Sequence, residues 1–580
     1  MCGIIGYAGC RDAKAVLEDG LKRLEYRGYD SAGIALFCND KIKVIKSAGK
    51  VLALSEKLKS VDTDLAVCGI GHTRWATHGA PTDINSHPHS HGRVTLVHNG
   101  IIENYKDIKG DTKTISDTDT EAAAILINSL YDGDPIKAIA DASIKMHGSF
   151  ALCIMFEDIK DTIFAVRRDS PLAIGIGENE TVVASDIPAI IPYTDRYCLL
   201  NEGEIAKVDK NGAVFYDINK NIIEKPLKTA HYDLQNTDKN GFEHYMLKEI
   251  FEQPTAIKNT VAECQYELEK LNLGEIDRIY IVACGSAMHA GLLGAKALEK
   301  LCDIPTRVYI ASEFRYDGIK LHPTDLVIAV SQSGETADTL AALRLAKKQG
   351  AKTLGIVNVF GSALDNEADF VLHTRAGVEI CVATTKAYLC QSAVMYMLAL
   401  KLSGNDLSAM QSLEQAVKKA LNLSDKCKFC SHILNKKEHA FFIGRGVDYS
   451  VCTEGSLKLK EVSYLHSEAY PAGELKHGTI SLIENATPLI AVMTDRKVIS
   501  KTISNIKEAV ARGAKVIAVT YPDIDVSDFC DNKIEIDVQN EWLAPIVAAV
   551  PLQLLAYYTA KSRGCDIDKP RNLAKSVTVE

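Results

Sequence analysis

The chain has 580 residues, which at roughly 150 residues per domain is too long for one hydrophobic core and points to several units. Hydrophobic residues make up 47% and charged residues 24%, the balance of an ordinary globular chain, which excludes a disordered, collagen-like or coiled-coil protein. Against 75 Asp and Glu stand 66 Lys and Arg, a net charge of -9 with no basic stripe to follow a phosphate backbone, so no nucleic-acid partner is expected.

The N-terminus, MCGIIGYAGCRDAK, lacks the basic and apolar regions of an export signal. Cys68, Cys153 and Cys284 lie within apolar runs, as reduced thiols do, so a reducing, cytoplasmic setting is expected. Up to about residue 217 short apolar runs follow one another closely: Ile4 to Ala8, Gly33 to Phe37, Val94 to His98, Ala151 to Phe156, Thr162 to Val166, Leu172 to Ile176 and Glu204 to Val208. Strands so closely spaced need hairpins, and two one-sided helical patterns, Ala13 to Tyr26 and Thr120 to Leu130, would cover the resulting antiparallel sheets. His231 to Gly241 is polar and turn-rich and reads as a linker.

Beyond the linker the rhythm becomes strand, helix, strand. Arg278 to Ala283 precedes a helix to Leu301, and Asp325 to Val330 precedes a helix from Thr336 to Gln349, as in a doubly wound parallel sheet. The pattern then recurs. Ile279 to Ser286 is echoed by Ala440 to Val447, Leu326 to Ser333 by Pro488 to Asp495, and Gln349 to Val357 by Arg512 to Thr520, at offsets of 161, 162 and 163. Two copies of one α/β domain follow, joined by helical sequence from Thr385 to Leu434. Trp542 to Ala560 carries no charge but contains Pro545, Pro551 and Gln553, and reads as a buried helix, so no membrane partner is expected.

Loss of Met1 would leave the Cys2 thiol beside a free α-amine, a base titrating at about 7.7–8.0, so the chain end would supply nucleophile and base together. The strand from Val94 ends at Asn99-Gly100, where an amide side chain and a backbone N–H could face an oxyanion, although Asn-Gly is also a common hairpin turn. With Arg27 to Ser31, His72 to Gly79, His87-Pro88-His89 and Ser116 to Glu121, these residues resemble the N-terminal-nucleophile glutaminase domain of the glutamine amidotransferases. The resemblance implies an αββα sandwich in which Cys2 forms a glutamyl thioester and Asn99 and Gly100 make the oxyanion hole. It also implies that Arg74 clamps the α-carboxylate of glutamine, that Asp119 pairs with its α-ammonium, and that Arg27, Trp75, Thr77, His78 and His87 belong to the binding site. The same pattern accounts for His87 and His89 without metal, so the H-x-H-x-H run to His91 is not read as a metal site. Cys427 and Cys430 form a lone C-x-x-C, also without a second pair of ligands.

In the first α/β copy, Ser331-Gln332-Ser333-Gly334-Glu335-Thr336 turns a strand into a helix and offers hydroxyls and backbone N–H groups to an anion. The second copy has Met493, Thr494 and Asp495 there, and the Asp495 carboxylate is expected to repel phosphate, leaving one phosphate site per chain. The turn Cys284-Gly285-Ser286-Ala287 lacks the G-x-G-x-x-G of a dinucleotide fold. Cys284 to Gly291 together with the serine-rich loop resembles the sugar isomerase (SIS) domain. Val382 to Tyr388, Glu454 to Glu461, Gly473 to Gly478 and the tail from Pro570 narrow the resemblance to the glutamine amidotransferases that aminate and isomerise a ketose phosphate.

The expected fold is therefore α/β and α+β: a glutaminase sandwich over 2–225, a linker over 226–242, doubly wound parallel-sheet SIS domains over 243–410 and 411–565, and a tail over 566–580. By resemblance, the substrates are glutamine and fructose 6-phosphate, the products glutamate and glucosamine 6-phosphate, the assembly a homodimer, and no cofactor is needed. Ser331, Gln332, Ser333 and Thr336 would hold the phosphate, with Ser286, Val382, Ala383 and Ala574 nearby. His477, in one chain or its neighbour, would open the sugar ring, Lys575 would form an imine with C2, Glu461 would carry a proton from C1 to C2, and Lys458 would support that transfer. Two departures stand out. Ala287 replaces a hydroxyl common in relatives, and Thr479 replaces a proline that often follows the His-Gly pair. Another type 2 amidotransferase lacks a use for the SIS repeat, and a phosphosugar-binding regulator needs neither Cys2 nor Lys575.

Overall fold

A computed structural model describes residues 2–61, 63, 65–229 and 238–578. Two compact units account for the chain, one of Met1–Leu234 with Ser576–Glu580 and the other of Gln235–Lys575. Residues 230–237 of the segment read as a linker and the last two tail residues lie outside the described residues. Lys228–Thr229, also read as linker, pairs with Arg196 and Tyr197 as an edge strand.

In the first unit an eight-stranded sheet runs in the order Lys228–Thr229, Arg196–Leu199, Ala173–Ile176, Thr181–Ala184, Gly3–Ala8, Cys68–Arg74, Ser31–Cys38, Lys41–Ala48. A seven-stranded sheet faces it, in the order Ile222–Ile223, Gly212–Tyr216, Ile205–Asp209, Ile163–Arg168, Gly148–Phe156, Val94–Ile102, His89–His91. Alternation along Gly3–Ala8 shows why there are four layers. Ile5 and Tyr7 enter a core shared with helices Ala13–Leu24 and Val51–Lys59, whereas Ile4 and Ala8 enter a core between the sheets with Val97, Cys153 and Ala165. A third core packs Leu96, Leu152 and Phe164 against helices Asp119–Leu130 and Pro135–Lys145. The αββα order places the N-terminal strand centrally, with Cys2 at its end. The strand from Val94 does not stop at Asn99. It pairs through Asn99 with Ala151 and through Gly100 with Phe150 as far as Ile102, because glycine allows the φ of +135° that keeps the register.

The second unit holds two five-stranded parallel sheets of identical layout: Thr306–Ile310, Arg278–Ala283, Asp325–Ser331, Lys352–Val357, Phe370–His373, and His466–Pro471, His439–Gly444, Pro488–Met493, Lys515–Thr520, Asn532–Glu535. Strands buried on both faces read as the near-continuous apolar runs seen in the sequence. The repeat holds at the level of register: Ile281 pairs with Ile328, and their counterparts Phe442 and Ile490 pair with each other. The joining segment Thr385 to Leu434 is not one helix. Lys386–Leu402, buried through nearly its whole length, is followed by a break at Gly404 and by Leu413–Leu421 and Ser424–Ser431. Glu541–Ser562 is the one described helical stretch long and apolar enough to cross a bilayer, and its most apolar 18-residue window is 94% buried within the protein.

Candidate active sites

In the first unit a narrow pocket is lined by Cys2, Arg74, Trp75, Thr77, His87, His98, Gly100, Thr118, Asp119 and Thr120. The Trp75 N–H donates to Cys2 Sγ at 3.3 Å, and the thiol lies 3.6 Å from the Trp75 carbonyl oxygen. Burial pushes the thiol's pKa up, against the opposing pull of the Trp75 N–H and of Arg74, so a base is needed to make the thiolate. Asn99 is aimed by its neighbours. Its Oδ1 lies 3.1 Å from His72 Nε2, which also meets the His98 carbonyl oxygen at 2.9 Å. Two acceptors at Nε2 require that this nitrogen carry the proton, and burial holds the ring's pKa down to about 3, so His72 is a neutral donor. The Asn99 amide nitrogen is thereby left to donate to the Cys2 carbonyl oxygen, at 3.0 Å. Gly100 admits no side chain, since a Cβ there would stand 2.1 Å from the Ser149 carbonyl oxygen.

Asp119 begins the helix Asp119–Leu130, where its carboxylate accepts from the Ile102 N–H at 2.8 Å. Arg74 donates to the carbonyl oxygens of His78, Gly79 and Ala80 and so ties down the loop it faces. The histidine rings bond to neighbouring side chains and backbone. His87 Nδ1 accepts from the His98 N–H, its Nε2 meets Thr120 Oγ1 at 3.3 Å, and His89 Nε2 meets Thr118 Oγ1 at 3.2 Å. Thr118 and Thr120 were visible only as part of the Ser116 to Glu121 motif; in the structure the Thr120 hydroxyl bridges His87 and His98, and that of Thr118 links His89 to Ser116. Arg27 and His78 are outside the lining: Arg27 pairs with Asp186 at 2.5 Å, and His78 packs edge-on to Tyr105.

In the second unit, Ser331 ends a strand and Thr336 caps the helix Ala337–Lys348 without a side-chain bond to it. Their hydroxyls lie 2.9 Å apart, and Ser331 Oγ accepts the Gly334 N–H at 3.0 Å. Gly334 has φ +69°, and a Cβ on it would strike Ser362 Oγ at 2.0 Å, so the loop closes only with glycine. Asn358 carries the loop's position onward, donating its N–H to the Gln332 carbonyl oxygen and its side-chain amide to the Gly377 carbonyl oxygen.

Two residues beyond Gly377 lies Glu379, which sequence reasoning missed. It ion-pairs with Lys575 in full burial, side chains 0% and 3% exposed, while its other oxygen accepts the N–H groups of Thr385 and Ala387 at 3.0 and 3.1 Å. Lys575 also donates to Thr384 Oγ1 at 3.2 Å. Val382 and Ala383 are buried beside this pair, the Val382 N–H bonded to the Asp568 carbonyl oxygen, and Ala574 is half-buried. On the helix Val447–Ser463, Lys458 meets Glu461 at 2.5 Å and Glu454 at 3.5 Å. The negative charge of Glu379 also acts on Lys458, after those of Glu461 and Glu454. Burial pushes the Glu461 carboxyl up, and Glu454 adds to this while Lys458 opposes it. Ser286 turns to Glu454, at 2.9 Å, as does His289 at 2.8 Å, so Ser286 does not face the serine loop here. Nor does His477 join the cluster. It is exposed and lines an opening of about 520 Å³ with Arg445, Gly473 and Lys476.

An αββα unit with a terminal thiol in its pocket, and paired parallel-sheet units with a serine-rich cradle, define an amidotransferase joined to SIS domains. Family models agree: a glutamine amidotransferase domain matches residues 72–192 and an SIS domain matches 272–401 and 433–563. The proteins called glutamine--fructose-6-phosphate aminotransferase (isomerizing) from Clostridium tetani and Caldanaerobacter subterraneus are 45% and 46% identical to this chain, all of each chain being covered. The solved C-terminal domain of glucosamine-fructose-6-phosphate aminotransferase from Francisella tularensis resembles 58% of this chain at 37% identity, over all of its own length, with a TM-score of 0.53. The chain belongs to the glutamine--fructose-6-phosphate aminotransferase (isomerizing) family.

Proposed function

We propose that this chain makes glucosamine 6-phosphate and glutamate from fructose 6-phosphate and glutamine. The observation that carries the reading is the presence, on one chain, of a thiol pocket built for an amide and a buried lysine–glutamate cluster beside a phosphate cradle. In the pocket, the Cys2 thiolate attacks the side-chain carbonyl of glutamine, its proton going to the α-amine that removal of Met1 frees. The oxyanion lies between the Asn99 amide and the Gly100 N–H, ammonia leaves, and water hydrolyses the thioester. Arg74 takes the α-carboxylate by turning from the carbonyls it now holds, and Asp119 takes the α-ammonium. Trp75, Thr77 and His87 wall the glutamine side chain, with Arg27 and His78 supporting from outside.

In the second unit, Ser331, Gln332, Ser333 and Thr336 hold the sugar phosphate at the start of a helix, where backbone N–H groups and the helix dipole favour an anion. Lys575 condenses with the C2 carbonyl, ammonia displaces it, and Glu461 moves a proton between C1 and C2 with Lys458 at its side. The imine supplies the activation, so no cofactor is required. A homodimer is part of the reading, because His477 is exposed and lines an opening separate from the Lys575 cluster, as suits a residue that completes a partner's site. Sixteen free cysteines support a reducing, cytoplasmic setting. In this reading the domains keep the bounds 2–225, 243–410 and 411–565. The test is incubation with both substrates and assay for glutamate and glucosamine 6-phosphate. Cys2→Ala should lose glutamate release and retain interconversion of fructose and glucose phosphates; glutamate release at the normal rate would end the nucleophile assignment.

A further inference from the structure

The two SIS copies share strand order and pairing register, and ligands bind such sheets in the crevice beyond the strand ends at the switch in strand order. Gly285 and Gly446, 161 positions apart, share the left-handed turn at φ +54° and +56°, so Ala287 in the first copy corresponds to Asp448 in the second. Gln332 and Ser333 correspond likewise to Thr494 and Asp495. In the second copy Asp448 is fully buried and bonded to that loop: one carboxylate oxygen accepts the N–H of Thr494 at 2.9 Å and of Asp495 at 3.2 Å, and the other accepts the Thr494 hydroxyl. Three donors converging on one carboxylate are what a phosphate oxygen would find in the first copy. The Asp495 carboxylate, expected to repel phosphate, accepts the N–H of Lys497 beside the same loop. Gly444 completes the closure. It stands where the first copy has Ala283, and a Cβ on it would meet the backbone carbon of Asp448 at 2.6 Å, so the helix start is drawn in against the strand.

We propose that Asp448 is an internal substitute for a phosphate ligand, which closes the crevice of the second SIS copy, limits the chain to one sugar-phosphate site, and leaves a latent phosphate site if its carboxylate is removed. The inference rests on reading Ser331 to Thr336 as the first copy's phosphate cradle. It assigns to one side chain the difference between an open and a closed copy, with Ala287 leaving room where Asp448 fills it.

The experiment is calorimetric titration of the full-length protein with fructose 6-phosphate and with inorganic phosphate, alongside melting temperatures with and without phosphate. Wild type should take one fructose 6-phosphate per chain, weakened at least tenfold in Ser331→Ala. Asp448→Ala should keep that site, melt at a lower temperature, gain one phosphate per chain, and recover part of the lost melting temperature on adding phosphate beyond any rise in wild type. Asp448→Ser is the second variant should alanine not fold, and carries the same expectation. Two sugar phosphates per wild-type chain would overturn the proposal. So would a folded Asp448 variant that binds fructose 6-phosphate normally and gains no phosphate. If Ser331→Ala binds the sugar phosphate as wild type does, the cradle reading fails instead, and the proposal with it.

Discussion

Replacing Glu379 with Gln isolates the charge that faces Lys575. Glutamine keeps an oxygen for the N–H groups of Thr385 and Ala387, so the start of the helix Lys386–Leu402 stays capped. What disappears is the anion opposite an ammonium that is 3% exposed. Breaking a buried pair by removing one partner typically costs about 3–5 kcal/mol. That is an upper figure here, because the lysine can turn out to solvent or give up its proton. An unfolding entropy of roughly 2.1 cal/mol/K per residue gives about 1.4 °C per kcal/mol for a unit of this size, so the second unit should melt at most about 4–7 °C lower. Borohydride reduction in the presence of fructose 6-phosphate, read by peptide mass analysis, should then trap the sugar on Lys575 at least tenfold less. Glutamate release at Cys2 should be unchanged, and Glu379→Asp, which shortens the side chain but keeps the charge, should recover most of the trapping. Wild-type melting and trapping in Glu379→Gln would refute the reasoning, and trapping on a different lysine would remove Lys575 from the chemistry.

Glu249, whose carboxylate accepts from Ile380 and Cys381, is pushed up to about 8 by burial and then by the charge of Glu379. Between the ordinary carboxyl range and about 8 the folded chain holds a proton that the unfolded chain has released, so stability falls as pH rises through that window. Glu249→Gln should flatten this fall in melts taken across it and exceed wild type in stability above it; an unaltered slope would show that Glu249 is ionised throughout. Trp75→Ala keeps the backbone groups that meet Cys2 Sγ but removes the indole packed edge-on to Tyr29; if that indole blocks the escape of ammonia, which protonates in neutral water, glutamine hydrolysis should persist while the ratio of glutamate to aminosugar rises above one. A ratio fixed at one, with both rates reduced together, would mean that the indole only packs.

The parallel sheets of the second unit were readable because strands buried on both faces are apolar without interruption, and because the repeat preserved their spacing. In the first unit Lys41–Ala48 was not singled out, being a half-exposed edge strand whose lysines interrupt the apolar pattern. Cys68–Arg74 was not singled out either. Its glycines look like loop residues, yet they serve close packing, a Cβ on Gly69 falling 2.6 Å from the Ala35 carbonyl oxygen. The site divides in the same way. Cys2, Asn99, Gly100 and the serine loop stand out because their chemistry is local in sequence. Glu379, Glu249 and Asp448 look like surface carboxylates until the fold buries them, and the partner of Glu379 lies 196 residues away.

That burial also bears on the proposed proton transfer, in which a carboxylate and an ammonium would share the work. In that reaction Glu461 would exchange a proton with carbon, and a general base serves best when its pKa approaches the working pH. Burial and the neighbouring Glu454 drive Glu461 upward, and Lys458, 2.5 Å away, restrains the rise. Lys458 answers to three carboxylates, Glu461, Glu454 and Glu379, and their combined charge keeps it protonated despite burial. Glu379 in turn pairs with Lys575, so one carboxylate acts both on the lysine proposed to meet the sugar and on the ammonium beside the proposed proton carrier.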